Sequence, residues 1–155
     1  MAIASFQNKK RPAPIDLDSQ TPWAKLGKKW HLMRKGFAAD KDVAWDPEVL
    51  EALEETLSEA APGSEFEWSN EQVVHVVLPK QKQPWASIQT KQSDGLWLNV
   101  PVPKGEVEAD SVAGLADATE VTSESKLDMV WLGFSKVKQV SGDELKAFLS
   151  KRTAV

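Results

Sequence analysis

The sequence runs to 155 residues, 41% hydrophobic and 27% charged, with a formal net charge of −4. That supplies one ordinary core and resembles neither a disordered nor a fibrous chain. The absence of cysteine and the presence of only two histidines exclude disulfides, thiolate chemistry and a His-based zinc cluster, and no apolar run approaches the roughly 20 residues of a membrane-spanning helix.

Charge is unevenly distributed. Residues 1–41 carry a net +6, so residues 42–155 carry −10. A basic arm on an acidic body has two readings: an electrostatic footprint for a polyanion, or a strap that docks on its own domain. The first residues, Met1 to Phe6, lack the charged region and apolar stretch of a secretory signal, which gives the expectation of a cytoplasmic protein. Residues 1–20, with Pro12, Pro14 and no periodicity, read as a flexible leader or linker, and residues 21–155 as a single α+β domain.

From Thr21 onward aromatic and basic residues alternate irregularly; the pattern predicts a short helix from Pro22 to near Gly27, then an extended stretch. Asp46-Pro47-Glu48 is a helix start, because Asp can accept from exposed N–H groups, Pro at the first turn loses no hydrogen bond, and Glu suits the positive end of the dipole. Val49, Leu50, Leu53 and Leu57 continue at helical spacing until Pro62-Gly63 ends the helix, near residue 61. Four strands follow: Glu65–Trp68, Gln72–Leu78, Trp85–Lys91 and Leu96–Val102, the last two joined by a turn containing Asp94-Gly95. Residues 104–125 are acidic and weakly patterned, with room for a short helix at Ser111–Leu115. Leu127–Val137 reads as a fifth strand. Ser141-Gly142-Asp143-Glu144 has the form of a capping box, opening a helix over residues 142–151 whose stripe is Leu145, Phe148 and Leu149. The predicted architecture is α+β: an antiparallel sheet of about five strands with two helices packed on one face. Seven Trp and no Tyr lead to the expectation that aromatic packing dominates the core.

No phosphate-binding loop, dinucleotide fingerprint, nucleophile elbow, zinc-protease motif or calcium loop occurs, so neither catalytic residues, nor a metal, nor a cofactor is expected. His75, between Val74 and Val76, reads as a partly buried histidine bonded to backbone rather than a general base. The acidic residues from Glu48 to Glu59 read as a solvated helix face. Two surfaces remain as candidates for nucleic acid. In the first, Lys28, Lys29, Arg34 and Lys35 supply cations around Trp30 and His31, a combination suited to phosphate contact and base stacking; a solvated strap anchored by Trp30 is the alternative. In the second, strand alternation sets Trp85, Ser87, Gln89, Lys91, Trp97 and Asn99 on one face, opposite Ala86, Ile88, Leu96, Leu98 and Val100. That face can stack unpaired bases, unless a helix covers its two indoles.

The run Lys29-Trp30-His31-Leu32-Met33-Arg34-Lys35-Gly36-Phe37, with Trp45-Asp46-Pro47-Glu48-Val49-Leu50 and Pro84-Trp85-Ala86-Ser87-Ile88-Gln89-Thr90-Lys91, resembles a C-terminal extension of some bacterial UvrA proteins, the damage-recognition ATPases of nucleotide excision repair. The resemblance covers about Pro22 to Leu149. The ATPase motifs and zinc-binding cysteines of that family lie outside these residues, so none is carried over here. The resemblance implies a non-catalytic accessory domain whose partners are DNA, the rest of a UvrA-like protein or other repair proteins. Two alternatives stand beside it: a protein-interaction domain that docks a basic partner on its acidic surface, and a small-ligand-binding domain.

Overall fold

The computed structural model describes residues 22–33, 41–81 and 83–153; the leader assigned to residues 1–20 lies outside them. Two five-residue helices open the described chain, α1 (Pro22–Leu26) and α2 (Lys28–Leu32). Between them Gly27 has φ 56°, a left-handed conformation that costs glycine little. Lys28–Leu32, expected to be extended, is instead helical, and the expected stretch from residue 34 onward lies outside the described residues. Lys28, Trp30 and His31 each gain a partner on the body of the domain, and these contacts offset the weak intrinsic stability of so short a helix.

Helix α3 (Pro47–Ala60) begins as the sequence indicates, with Asp46 in the extended conformation at the N-cap and Pro47 in the first turn. The Asp46 carboxylate, however, makes no capping hydrogen bond; its main-chain carbonyl accepts from Val49 N instead, at 2.9 Å. The apolar stripe is realised in full, with Val49, Leu50, Leu53 and Leu57 all buried.

The strands are β1 (Glu65–Glu67), β2 (Val73–Val77), β3 (Ala86–Gln89), β4 (Leu96–Pro103), β5 (Ala118–Ser123) and β6 (Leu127–Phe134). They form one antiparallel sheet in the order β1-β2-β3-β4-β6-β5. The first four are a meander. The chain then passes through α4 (Ala109–Val112) to the far edge and returns as the β5–β6 hairpin. The sheet thus has six strands rather than about five. The additional one, β5, is an edge strand whose side chains are half-buried at best, so it carries little of the apolar alternation by which strands are recognised.

Strand β6 stops at Phe134, short of the expected Val137. Asp117 accounts for the end: its main-chain N–H donates to Gly133 O at 3.0 Å, while its carboxylate accepts from Ser135 N at 2.8 Å and Ser135 Oγ at 2.5 Å. Residues Val137–Val140 form a short helix, α5, before α6 (Asp143–Thr153). The capping box is not formed: Ser141 Oγ donates backward to Val137 O and Lys138 O, serving the C-terminal carbonyls of α5 rather than the first N–H groups of α6.

Alternate residues of the central strands, including Val74, Val76, Ala86, Ile88, Leu96, Leu98, Val100, Val130, Leu132 and Phe134, form one buried cluster with the stripes of α3 and α6 and with Val112 of α4 and Val140 of α5. The helices therefore lie on one face of the sheet. Thr56 Oγ1 donates to Val140 O at 3.0 Å, and Lys146 pairs with Glu59 at 2.6 Å, tying α3 to the C-terminal helices. Aromatic packing does not dominate this core. Among the described residues Trp45 and Trp85 are the buried indoles and Phe134 the buried phenyl ring, with mainly aliphatic neighbours. The other five tryptophans are half-buried, and among them the indole N–H groups of Trp30, Trp97 and Trp131 find acceptors.

Candidate functional site

Helix α2 is docked. Lys28 Nζ lies 2.7 Å from Glu54 Oε1 on α3 and 5.5 Å from the centre of the Trp68 ring. Trp30 Nε1 donates to Glu71 O at 2.9 Å, and its ring meets Trp23 edge-on. His31 is buried, with Nε2 3.1 Å from Trp68 O and Nδ1 2.6 Å from Thr90 Oγ1. A carbonyl only accepts, so Nε2 carries the proton, and neutral Nδ1 accepts from the Thr90 hydroxyl. Burial holds the imidazole below its ordinary pKa, against the opposing effect of the backbone hydrogen bonds. Lys28, Trp30 and His31 thus bind the strap to its own domain, while Lys29 is exposed. Arg34 and Lys35 lie outside the described residues.

The second predicted surface is partly assembled. Trp97 and Asn99 of β4 stand on the sheet face opposite the helices, beside Ser87 and Gln89 of β3. Trp85 does not join them. It precedes β3, its ring is buried in the core cluster, and Nε1 donates to Ser64 Oγ at 3.1 Å; alternation holds only where the backbone is already in the sheet. Lys91 lies beyond the end of β3 and pairs with Glu71 at 3.4 Å.

The same face gains residues from β6, the expected fifth strand, and from β5, which the sequence does not mark. The register sets Gly133 opposite Trp97, Trp131 opposite Asn99, and Glu120 opposite Trp131. None of the helices α3 to α6 packs over these side chains. Gln89, Gln92, Asp94, Trp97, Glu120 and Trp131 line a concavity of about 380 Å³. Trp131 was legible as the outward neighbour of Val130 and Leu132. Glu120 was not, because β5 was not recognised.

Both indoles are held by their N–H groups. Trp97 Nε1 donates to Asp94 Oδ1 at 3.0 Å, three residues back across the turn, and Trp131 Nε1 donates to Thr122 Oγ1 at 3.1 Å on β5. Neither indole N–H is therefore left for a ligand, and what the two rings can contribute is their π-systems. Among the described residues the lining of the concavity includes two carboxylates, two primary amides and neither Lys nor Arg. Beside Trp131, Asn99 is 7% exposed and its Nδ2 has no hydrogen-bond acceptor among the described residues.

His75 lies on this face as well, outside the concavity. Its Nδ1 is 2.9 Å from Ser87 Oγ, so its partner is a side-chain hydroxyl and not backbone. The carboxylates of α3 are less uniformly solvated than expected, since Glu54 and Glu59 each take a lysine partner. Among the described residues no group of three or more acidic, His or Cys side chains could hold a metal ion, and no helix is long and apolar enough to cross a membrane. No protein-family model, curated protein or solved structure matches the chain.

Proposed function

We propose that the chain is a non-catalytic accessory domain of DNA excision repair, comparable to the UvrA extension that its sequence resembles, and that it acts in the cytoplasm by docking a repair partner on the open face of its sheet. One observation carries the docking surface. Trp97 and Trp131 sit on a sheet face that α3 to α6 leave uncovered, around a concavity of about 380 Å³, within the usual range of about 300–1,000 Å³ for ligand sites. Aromatic anchors in a desolvatable hollow provide most of the affinity in protein interfaces. The repair setting rests on the resemblance.

The test is genetic. Replacing Trp97 and Trp131 together by Ala at the chromosomal locus should lower survival after ultraviolet irradiation, while unirradiated growth and the level of the protein stay unchanged. Undiminished survival would remove the repair reading.

Direct DNA contact is the second reading, favoured by the exposure of Lys29 on α2, close in sequence to Arg34 and Lys35. It predicts weak, salt-sensitive binding, because the attraction comes from released counterions.

A further inference from the structure

We infer that the concavity between Trp97 and Trp131 receives an arginine side chain from a basic segment of the partner protein. The inference rests on the open face being the docking surface and adds the chemistry of what docks there.

Three observations select the ligand. The two indole N–H groups are already donated, to Asp94 and Thr122, so neither is left for an acceptor on a ligand, and what the rings can contribute is their π-systems, which attract cations. Among the described residues Asp94 and Glu120 are the only charged groups in the lining, and residues 42–155 carry −10 overall; phosphate and other anions are repelled and cations drawn in. Finally, the polar atoms are weighted toward acceptors, with carboxylate oxygens alongside the carbonyl and NH₂ groups of Gln89 and Gln92. A group with many donors and no acceptor satisfies that weighting best, and guanidinium has five N–H donors on a plane that stacks on aromatic rings. An ammonium is more strongly hydrated and does not stack, so lysine is the poorer fit. A sugar needs donors as well as acceptors and gains nothing from the charge.

The experiment titrates the full chain, ¹⁵N-labelled, with a Gly–Arg repeat peptide and follows the indole N–H resonances of Trp97 and Trp131. Both should shift in a saturable manner, and the Gly–Lys repeat should bind about three- to tenfold more weakly, the range of a modest cation–π and bidentate hydrogen-bond advantage. Glu120→Gln should weaken the Gly–Arg peptide about five- to tenfold. Gln89→Lys, which adds a cation to the lining without removing an indole, should abolish saturable binding even if a tryptophan variant fails to fold. Equal shifts from a Gly–Ser repeat, or saturation of these two resonances by oligothymidine or a neutral oligosaccharide in place of the Gly–Arg peptide, would overturn the inference. So would a gain of about tenfold in peptide affinity on changing Lys9, Lys10 and Arg11 to Ser, because the occupant would then be the chain's own leader. Failure of the peptide alongside reduced survival of the double tryptophan variant would reject arginine and retain the docking surface.

Discussion

The indole of Trp97 lies across Gly133 on the neighbouring strand, so closely that a Cβ at residue 133 would stand 3.0 Å from Cζ2 and Cη2 of the ring. Glycine is required here by close approach, since any side chain would lift the indole off the sheet and close the concavity it borders. Gly133→Ala should therefore destabilise by about 1–3 kcal/mol, as overpacking does, and shift the Trp97 indole N–H resonance. A variant with unchanged stability and an unchanged resonance would show that the ring is free to move.

The two classes of tryptophan should separate in thermal unfolding. Trp45 is fully buried and donates to Gln92 O at 3.0 Å, so Trp45→Ala should cost about 3–5 kcal/mol. Trp97→Ala and Trp131→Ala, at half-exposed positions, should each cost less than half of that. A cost at Trp131 equal to that at Trp45 would make it a core anchor rather than a docking group.

Leu145 is 1% exposed and lies in the core cluster, whereas Phe148 is half-buried. Leu145→Ala should destabilise by about 2–5 kcal/mol. A change below about 0.5 kcal/mol, ordinary surface scatter, would contradict the packing of α6. Ser141→Ala should cost well below the roughly 1 kcal/mol of a lost N-cap, because its hydroxyl does not cap α6.

Buried His31 gives a pH dependence of definite sign. In the unfolded chain the imidazole takes up a proton near pH 6.5, while the folded imidazole, its pKa lowered chiefly by burial, stays neutral until the pH is lower. The unfolded state then binds more protons, so stability falls as pH drops through 6.5 and levels off below the folded pKa. The melting temperature should follow that course, and His31→Gln should flatten it. Asp117 and Asp128 act in a separate, more acidic window. Hydrogen bonds from the Ser135 side chain and from Gly105 N–H, respectively, are the leading causes that lower their pKa values below 3.8. Their stabilisation is present above that pH and lost as it falls through the folded values. No dependence near pH 6.5 would mean that His31 is not buried neutral.

Docking of α2 bears on the salt dependence of any DNA binding. With Lys28 engaged by Glu54 at 2.7 Å, DNA binding through Lys29, Arg34 and Lys35 should give log K falling with log salt at a slope of about −2 to −3. Lys28→Ala should leave the slope unchanged, whereas neutralising the other three should flatten it. Fluorescence anisotropy with single- and double-stranded oligonucleotides measures both, and a slope that changes by about one on loss of Lys28 would place that side chain on DNA.

The α3 stripe, the four-stranded meander, the inward alternation of β3 and β4 and the closing helix are all written in the order of the residues. Each of these is a local periodic pattern of apolar side chains that matches the burial it produces. Local patterns also suggest the capping box at Ser141 and an extended stretch after Gly27; the first yields to a local competitor, since Ser141 Oγ bonds the carbonyls three and four residues back, and over Lys28–Leu32 the second yields to tertiary partners on the body of the domain. That β5 completes the sheet, that His31 finds Thr90 across 59 positions and that Lys28 pairs with Glu54 emerge only with the folded chain. It alone set Gly133 beneath Trp97, and brought Glu120, Asp94 and Trp131 to one concavity. Strand register and long-range ion pairs depend on which segments meet in space, and no periodicity within a single segment encodes that meeting.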